Sequence, residues 1–175
     1  MNRGIRFCFG ALFALSPAFA QSAADPLSAG QKFLYTNIKN NLLRAAEKMP
    51  EDNYSFKPTP DVRSFGQLVG HVADAQYLFC SGVLGEKNPA PGIEKGKTAK
   101  ADLVQAMKDG FAYCDKAYDG MTDAQAAQMT KFFGREQTKM TLLSFNTAHD
   151  NEHYGNIVTY MRLKGLVPPS SEPKK

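Results

Sequence analysis

Four stretches of about twenty residues, each repeating apolar side chains at three- and four-residue steps and each stopped by proline or glycine, restrict this chain to helical folds. Asp25-Pro26 opens the first, because an Asp N-cap accepts from orphan N–H groups and the proline has none to lose. It runs to about Lys48, and Pro50 ends it; Leu27, Leu34, Ile38, Leu42 and Ala45 fall on one face. Ser64 to Gln67 is a capping-box pattern that starts a second helix over residues 65–84, carrying Leu68, Val69, Val72, Phe79 and Val83. Thr98 is placed to cap a third over 99–118, which Gly120 should terminate. The fourth begins at Thr141, carries Leu142, Phe145, Ile157, Tyr160 and Met161, and stops at Gly165 and Pro168-Pro169.

The connections are equally readable. Residues 50–63 hold Pro50, Pro58 and Pro60 and cannot be regular helix, while the Gly/Pro/Lys stretch 85–97 is long enough to cross the end of a bundle. Thr122 to Gln125 repeats the capping box before a short helix to about Met129, and 131–139 reads as a loop or small hairpin. No alternating strand pattern and no fixed-period repeat competes with this reading. The expected fold is all-α: a four-helix bundle, up-down-down-up, with a short extra helix or hairpin before the last helix.

Before the bundle comes a different kind of segment. Arg3 and Arg6 precede nine uncharged residues from Phe7 to Leu15, followed by Ala18-Phe19-Ala20. A basic start, an apolar run within ~7–15 residues and small residues at the cut describe a secretory signal peptide over residues 1–20, with Gln21 as the mature N-terminus. No segment approaches the ~20 apolar residues that span a bilayer. The expected compartment is the periplasm or the exterior, with a bundle domain over 21–169 and a flexible tail over 170–175. Removing Arg3 and Arg6 reduces 21 basic residues to 19, against 17 acidic ones. That near-balance, with lysines scattered and no basic stripe, gives nucleic-acid binding no support. Hydrophobic residues at 43% and charged residues at 22% suit a globular core.

Chemistry concentrates on the three histidines of the chain. His149 and His153 stand four residues apart on the fourth helix, so their rings leave one face, and His71 lies early in the second. Three neutral imidazoles converging from two helices would leave a fourth coordination position open, as catalytic metal sites do. Spacing alone leaves satisfied or solvent-facing histidines as the alternative. Asp150, Glu152 and Asp74 stand where each could orient an imidazole or simply be a solvated helix charge; Asn156 and Tyr160 share the histidine face, as substrate contacts or, for the tyrosine, as core. Cys80 and Cys114, the cysteines outside the leader, fall near the ends of helices two and three, where either a disulfide or two buried thiols fit.

Tyr54-Ser-Phe-Lys-Pro-Thr-Pro, Val62-Arg-Ser-Phe-Gly-Gln-Leu-Val-Gly-His71 and the run from His149-Asp-Asn-Glu-His153 through Gly155-Asn156 to Pro169 resemble the DinB/YfiT-like family. The resemblance covers nearly the whole chain beyond the leader. It implies a four-helix bundle whose histidines, here His71, His149 and His153, hold a divalent ion, zinc or nickel. It further implies likeness to thiol-dependent enzymes such as mycothiol-dependent maleylpyruvate isomerase and bacillithiol S-transferases, and so a metal-dependent hydrolase or thiol transferase acting on a small molecule. A non-catalytic metal- or ligand-binding bundle is the alternative. Gly155-Asn156 replaces the Gly-Gln pair of many relatives, an amide one methylene shorter, and export separates this chain from relatives that use cytosolic thiols. An exposed apolar helix face would suit a homodimer.

Overall fold

The computed structural model describes residues 25–173; the expected leader over 1–20 and the last two residues lie outside them. Six helices and one hairpin follow in chain order: α1 Pro26–Lys48, α2 Phe65–Leu84, α3 Ile93–Gly96, α4 Lys100–Tyr118, α5 Asp123–Ala126, β1 Met129–Phe132, β2 Arg135–Thr138 and α6 Lys139–Leu163. The four long ones, α1, α2, α4 and α6, form the bundle.

Side-chain pairings give each helix its direction. Leu103, near the start of α4, packs where a Cβ on Gly66 or Gly70 of early α2 would sit, and Cys80 is bridged to Cys114 near the ends of both. These two helices are therefore parallel. Gly82 of late α2 meets Leu142 of early α6, whereas His71 of early α2 meets His149 further along, so α2 and α6 are antiparallel. Gln31 of α1 donates to Leu143 O of α6, and Lys39 of α1 pairs with Asp115 of late α4. The result is up-down-down-up, as the long 85–97 crossover predicts.

Local chemistry explains most boundaries. Ser64 and Gln67 complete their capping box, as do Thr122 and Gln125, while Thr138 caps α6 through Thr141 N, starting that helix two residues before Thr141. Two expected caps are not made. The residue before α4 is Ala99, without a side-chain cap, so Thr98 is one residue too early. Asp25 does not cap α1: its Oδ1 accepts from Asp123 N at 2.7 Å, and the Asp123 carboxylate accepts from Leu27 N and Ser28 N. The two helix starts thus exchange caps, and those N–H bonds hold the Asp123 carboxyl below the usual aspartate value.

The core is built from Tyr35, Ile38, Leu42, Ala45, Val69, Val72, Met107, Phe111, Leu142, Ile157 and Met161, each such large side chain contributing about 1.5–3 kcal/mol on burial. The expected stripes are corrected at three places. Leu27 and Leu34 are 68% and 55% exposed, because α1 turns Ser28 and Tyr35 inward instead, beside the expected Ile38, Leu42 and Ala45, and Phe145 of α6 is 55% exposed beside a cavity. The crossover 85–97 is also less irregular than expected, since it contains α3. The loop or small hairpin expected over 131–139 is a hairpin over 129–138, with Met129 opposite Thr138 and Phe132 opposite Arg135, so the short helix expected to reach about Met129 stops at Ala126. The expected tail is docked as far as Glu172: Ser170 N donates to the Tyr154 hydroxyl, and Glu172 pairs with Arg44 and Lys48. Among the described residues no helix is long and apolar enough to cross a membrane.

Candidate metal centre

Early α2 and the middle of α6 run past each other in opposite directions, and that crossing places the three imidazoles together. His71 Nε2 lies 3.1 Å from His149 Nε2, which lies 3.0 Å from His153 Nε2. All three donor atoms are within 4.8 Å of one another. The i, i+4 spacing on α6 supplies the pair, and antiparallel packing supplies the third.

Each ring is held differently. His71 Nδ1 faces Glu94 Oε2 at 3.0 Å, and the other carboxylate oxygen of Glu94 accepts from Arg63 Nε at 2.8 Å. With Nδ1–H donating to the carboxylate, the neutral ring turns its Nε2 lone pair toward the other two histidines. Burial raises the Glu94 carboxyl, but the bonds from Arg63 and His71 outweigh it, and the group ends below its usual value. No such partner meets His149 or His153, whose Nδ1 atoms are buried without one; their rings are fixed by packing, with Phe79 against His149 at a centroid distance of 5.5 Å. Burial is the main reason that their acidities move, to about 3 for His149 and about 4 for His153, so both are neutral near pH 7.

Glu94 owes its place to two residues of α2, Gly70 immediately before His71 and Asp74 about one turn after it. Asp74 accepts from Gly92 N and Ile93 N with Oδ1 and from Glu94 N with Oδ2, each at 2.8 Å. Gly70 lets the backbone of α3 come close: a Cβ there would lie 2.8 Å from Glu94 Cα. Asp74 therefore orients His71 at one remove, by holding the helix that carries the partner carboxylate.

The donor set suits a metal ion. Two bonds of ~2.0–2.1 Å at a tetrahedral angle set their nitrogens about 3.3 Å apart, within a few tenths of the spacing seen. Three neutral imidazoles favour a transition ion over magnesium or calcium, which prefer oxygen.

The other expected site residues divide. Asp150 is fully buried, not a solvated charge. Its Oδ1 accepts from Gln76 Nε2 at 2.7 Å, so it orients no imidazole, and burial pushes its carboxyl well above the ordinary value despite that bond. Gln76 in turn accepts from Asn146, which also donates to Tyr118, a polar core behind the histidines. Tyr160 is buried and donates to Arg63 O at 2.7 Å, anchoring the segment that carries Arg63. Glu152 and Asn156 are exposed on the wall of a cleft of about 660 Å³ that also includes Lys57, Arg63, Glu94 and His153. Glu94, Arg63 and Gln76 escaped the sequence reading. Glu94 lies in a stretch that reads as loop, and no periodicity announces it; a signal existed only in Gly70 and Asp74 flanking His71.

The model of the DinB superfamily matches residues 34–157, from α1 through the histidine pair. The chain belongs to the DinB superfamily. It is 31% identical over 134 residues to the uncharacterized protein YjoA of Bacillus subtilis strain 168, an alignment covering 75% of this chain and 84% of that one. Solved DinB-like structures share the fold. One from Bacillus cereus ATCC 10987 has a TM-score of 0.72 at 19% identity, covering 81% of this chain and 95% of its own. The structure of YjoA has a TM-score of 0.66 at 24% identity, with 86% and 100% covered.

Proposed function

We propose that this DinB-superfamily member is an exported metal-dependent enzyme, a hydrolase or thiol transferase acting on a small molecule, with zinc or nickel held by His71, His149 and His153. The observation that carries the reading is the convergence of three Nε2 atoms, one of them on a ring whose Nδ1 meets the Glu94 carboxylate. A bound ion supplies Lewis acidity at an open position, where it would polarise a substrate oxygen or lower the pKa of a bound water or thiol. The chain's own part is to hold the donors: Glu94 keeps the hydrogen of His71 on Nδ1, and burial keeps His149 and His153 unprotonated. Arg63 holds the Glu94 carboxylate in place and keeps it ionised.

Export is supported by the order of basic, apolar and small-residue regions in residues 1–20 and by a Cys80–Cys114 bridge with Cα atoms 5.2 Å apart, suited to an oxidising compartment. The exposed Leu27, Phe33 and Leu34 of α1 offer a face for a homodimer. Metal content of protein purified from its native compartment tests the reading, followed by a turnover screen with esters, amides and thiol acceptors. One equivalent of zinc or nickel, lost in each histidine variant, together with turnover supports it; no bound ion in any compartment defeats it. Bound metal without turnover would favour a non-catalytic metal- or ligand-binding bundle.

A further inference from the structure

His71 and His149 face a cavity whose chemistry differs from that of the charged cleft on the Arg63 side, which His153 lines. It has a volume of about 420 Å³, and its walls include His71, His149, Leu78, Phe79, Phe145 and Phe133. Aromatic contact is continuous from the donor set outward: Phe79 packs on His149, on Phe145 at 5.3 Å and on Phe132 at 5.4 Å between centroids. The one carboxylate on the wall, Asp74, already accepts three backbone N–H groups of the α3 turn. Among the described residues no lysine or arginine lines the cavity.

Phe133 stands out within this lining. It forms the tip of the β1–β2 hairpin with Gly134, at φ values of 49° and 76°, a left-handed pair that hairpins normally fill with Asn-Gly. A bulky residue there costs free energy. It meets Phe132 at 4.2 Å between ring centroids yet stays 73% exposed, so burial in the protein offsets little of the cost. Strain kept at a ring that lines the cavity and is mostly exposed points to a use of the ring.

We infer that this cavity binds the uncharged aryl or alkyl group of a small molecule, with Phe133 as the residue that sets its specificity. The volume falls in the range of ligand pockets, ~300–1,000 Å³. An anionic group finds no cationic side chain there, and a cationic one finds a single carboxylate that already accepts three backbone N–H groups. Assigning the bound group to a substrate rests on the metal-centre reading; the binding does not.

The test titrates the mature chain with the neutral fluorophore N-phenyl-1-naphthylamine, with 8-anilinonaphthalene-1-sulfonate as its anionic counterpart, on metal-loaded and chelator-treated protein. Saturable binding of the neutral probe is expected in both forms, tighter than that of the anion. Phe133→Asn, which suits the turn, should weaken the neutral probe about fivefold or more by removing one wall, and leave the melting temperature equal or higher. Leu78→Ser should weaken it through another part of the lining. Phe33→Ser, on the exposed face of α1, should change nothing. The inference is overturned if the neutral probe does not bind, if the anion binds tighter, or if Phe33→Ser rather than Phe133→Asn removes binding. If binding persists while no metal is ever retained, the metal-centre reading fails and the cavity assignment stands.

Discussion

The two sides of the histidine cluster are built by opposite means. On the α2 side, His71 is wired: Glu94 accepts from its Nδ1, Arg63 holds Glu94, and Asp74 and Gly70 place the α3 turn. On the α6 side, His149 and His153 have no hydrogen-bond partner at Nδ1 and owe their positions to helical spacing and burial. A long helix inside a packed bundle fixes two rings without further help. A lone ring facing them from another helix, with 24% of its side chain exposed, needs a carboxylate to fix its tautomer and angle.

That contrast can be broken by substitution. The largest effect should come from His149→Ala or His153→Ala, which remove a donor; metal affinity measured by competition with a chromogenic chelator should fall beyond the ~10–100-fold typical of losing an outer partner. Glu94→Gln should fall within that ~10–100-fold range, because an amide can accept from His71 but lacks the charge. Gly70→Ala should act in the same direction, since its Cβ cannot share space with Glu94 Cα, and a crystal structure of the variant should show α3 displaced. If Glu94→Gln and Gly70→Ala leave affinity unchanged, the wiring of His71 is irrelevant to metal.

Acid should separate the two sides as well. In metal-free protein, His149 and His153 titrate at about 3 and about 4, below the ~6.5 of an unfolded chain. Between those values the unfolded state binds more protons, so their contribution to stability is complete above pH ~6.5 and is lost as pH falls toward 4. His149 is partly exposed, so screening reduces its share of this loss. Denaturant melts from pH 7 to 4 should show the loss in wild type and less of it in His149→Ala. The smallest effect belongs to Ser64→Ala, which removes the cap of α2 and should cost ~0.5–2 kcal/mol of stability while leaving metal affinity unchanged.

What was legible follows the same division. The α6 pair could be read directly, because i, i+4 spacing on a helix is local geometry. His71 could be offered as a third donor from its own helix face, but spacing could not show that it meets the pair, since the meeting of two helices depends on packing. Glu94 was invisible: it lies 23 residues beyond His71 in a Gly- and Pro-rich stretch, and its contact depends on a backbone approach that only Gly70 permits. Asp150 misled for a related reason. Its position beside His149 suggested a helix-surface charge, yet one residue along is about 100° around the helix, which turned it into the core against Gln76. Leu27 and Leu34 fitted a helical stripe as well as Ile38 and Leu42 do; tertiary packing chose the neighbouring stripe of Ser28 and Tyr35.

The most direct test of a three-histidine metal centre is the melting temperature of wild type and of His71→Ala, His149→Ala and His153→Ala, each with saturating zinc and with excess chelator. An ion that binds only the folded chain adds ~2.7 kcal/mol at a hundredfold excess over Kd. Zinc should therefore raise the melting temperature of wild type and chelator should reverse it, while all three variants should show little or no response. An equal response in all four proteins, or one that survives in any single variant at wild-type size, would contradict the three-histidine centre.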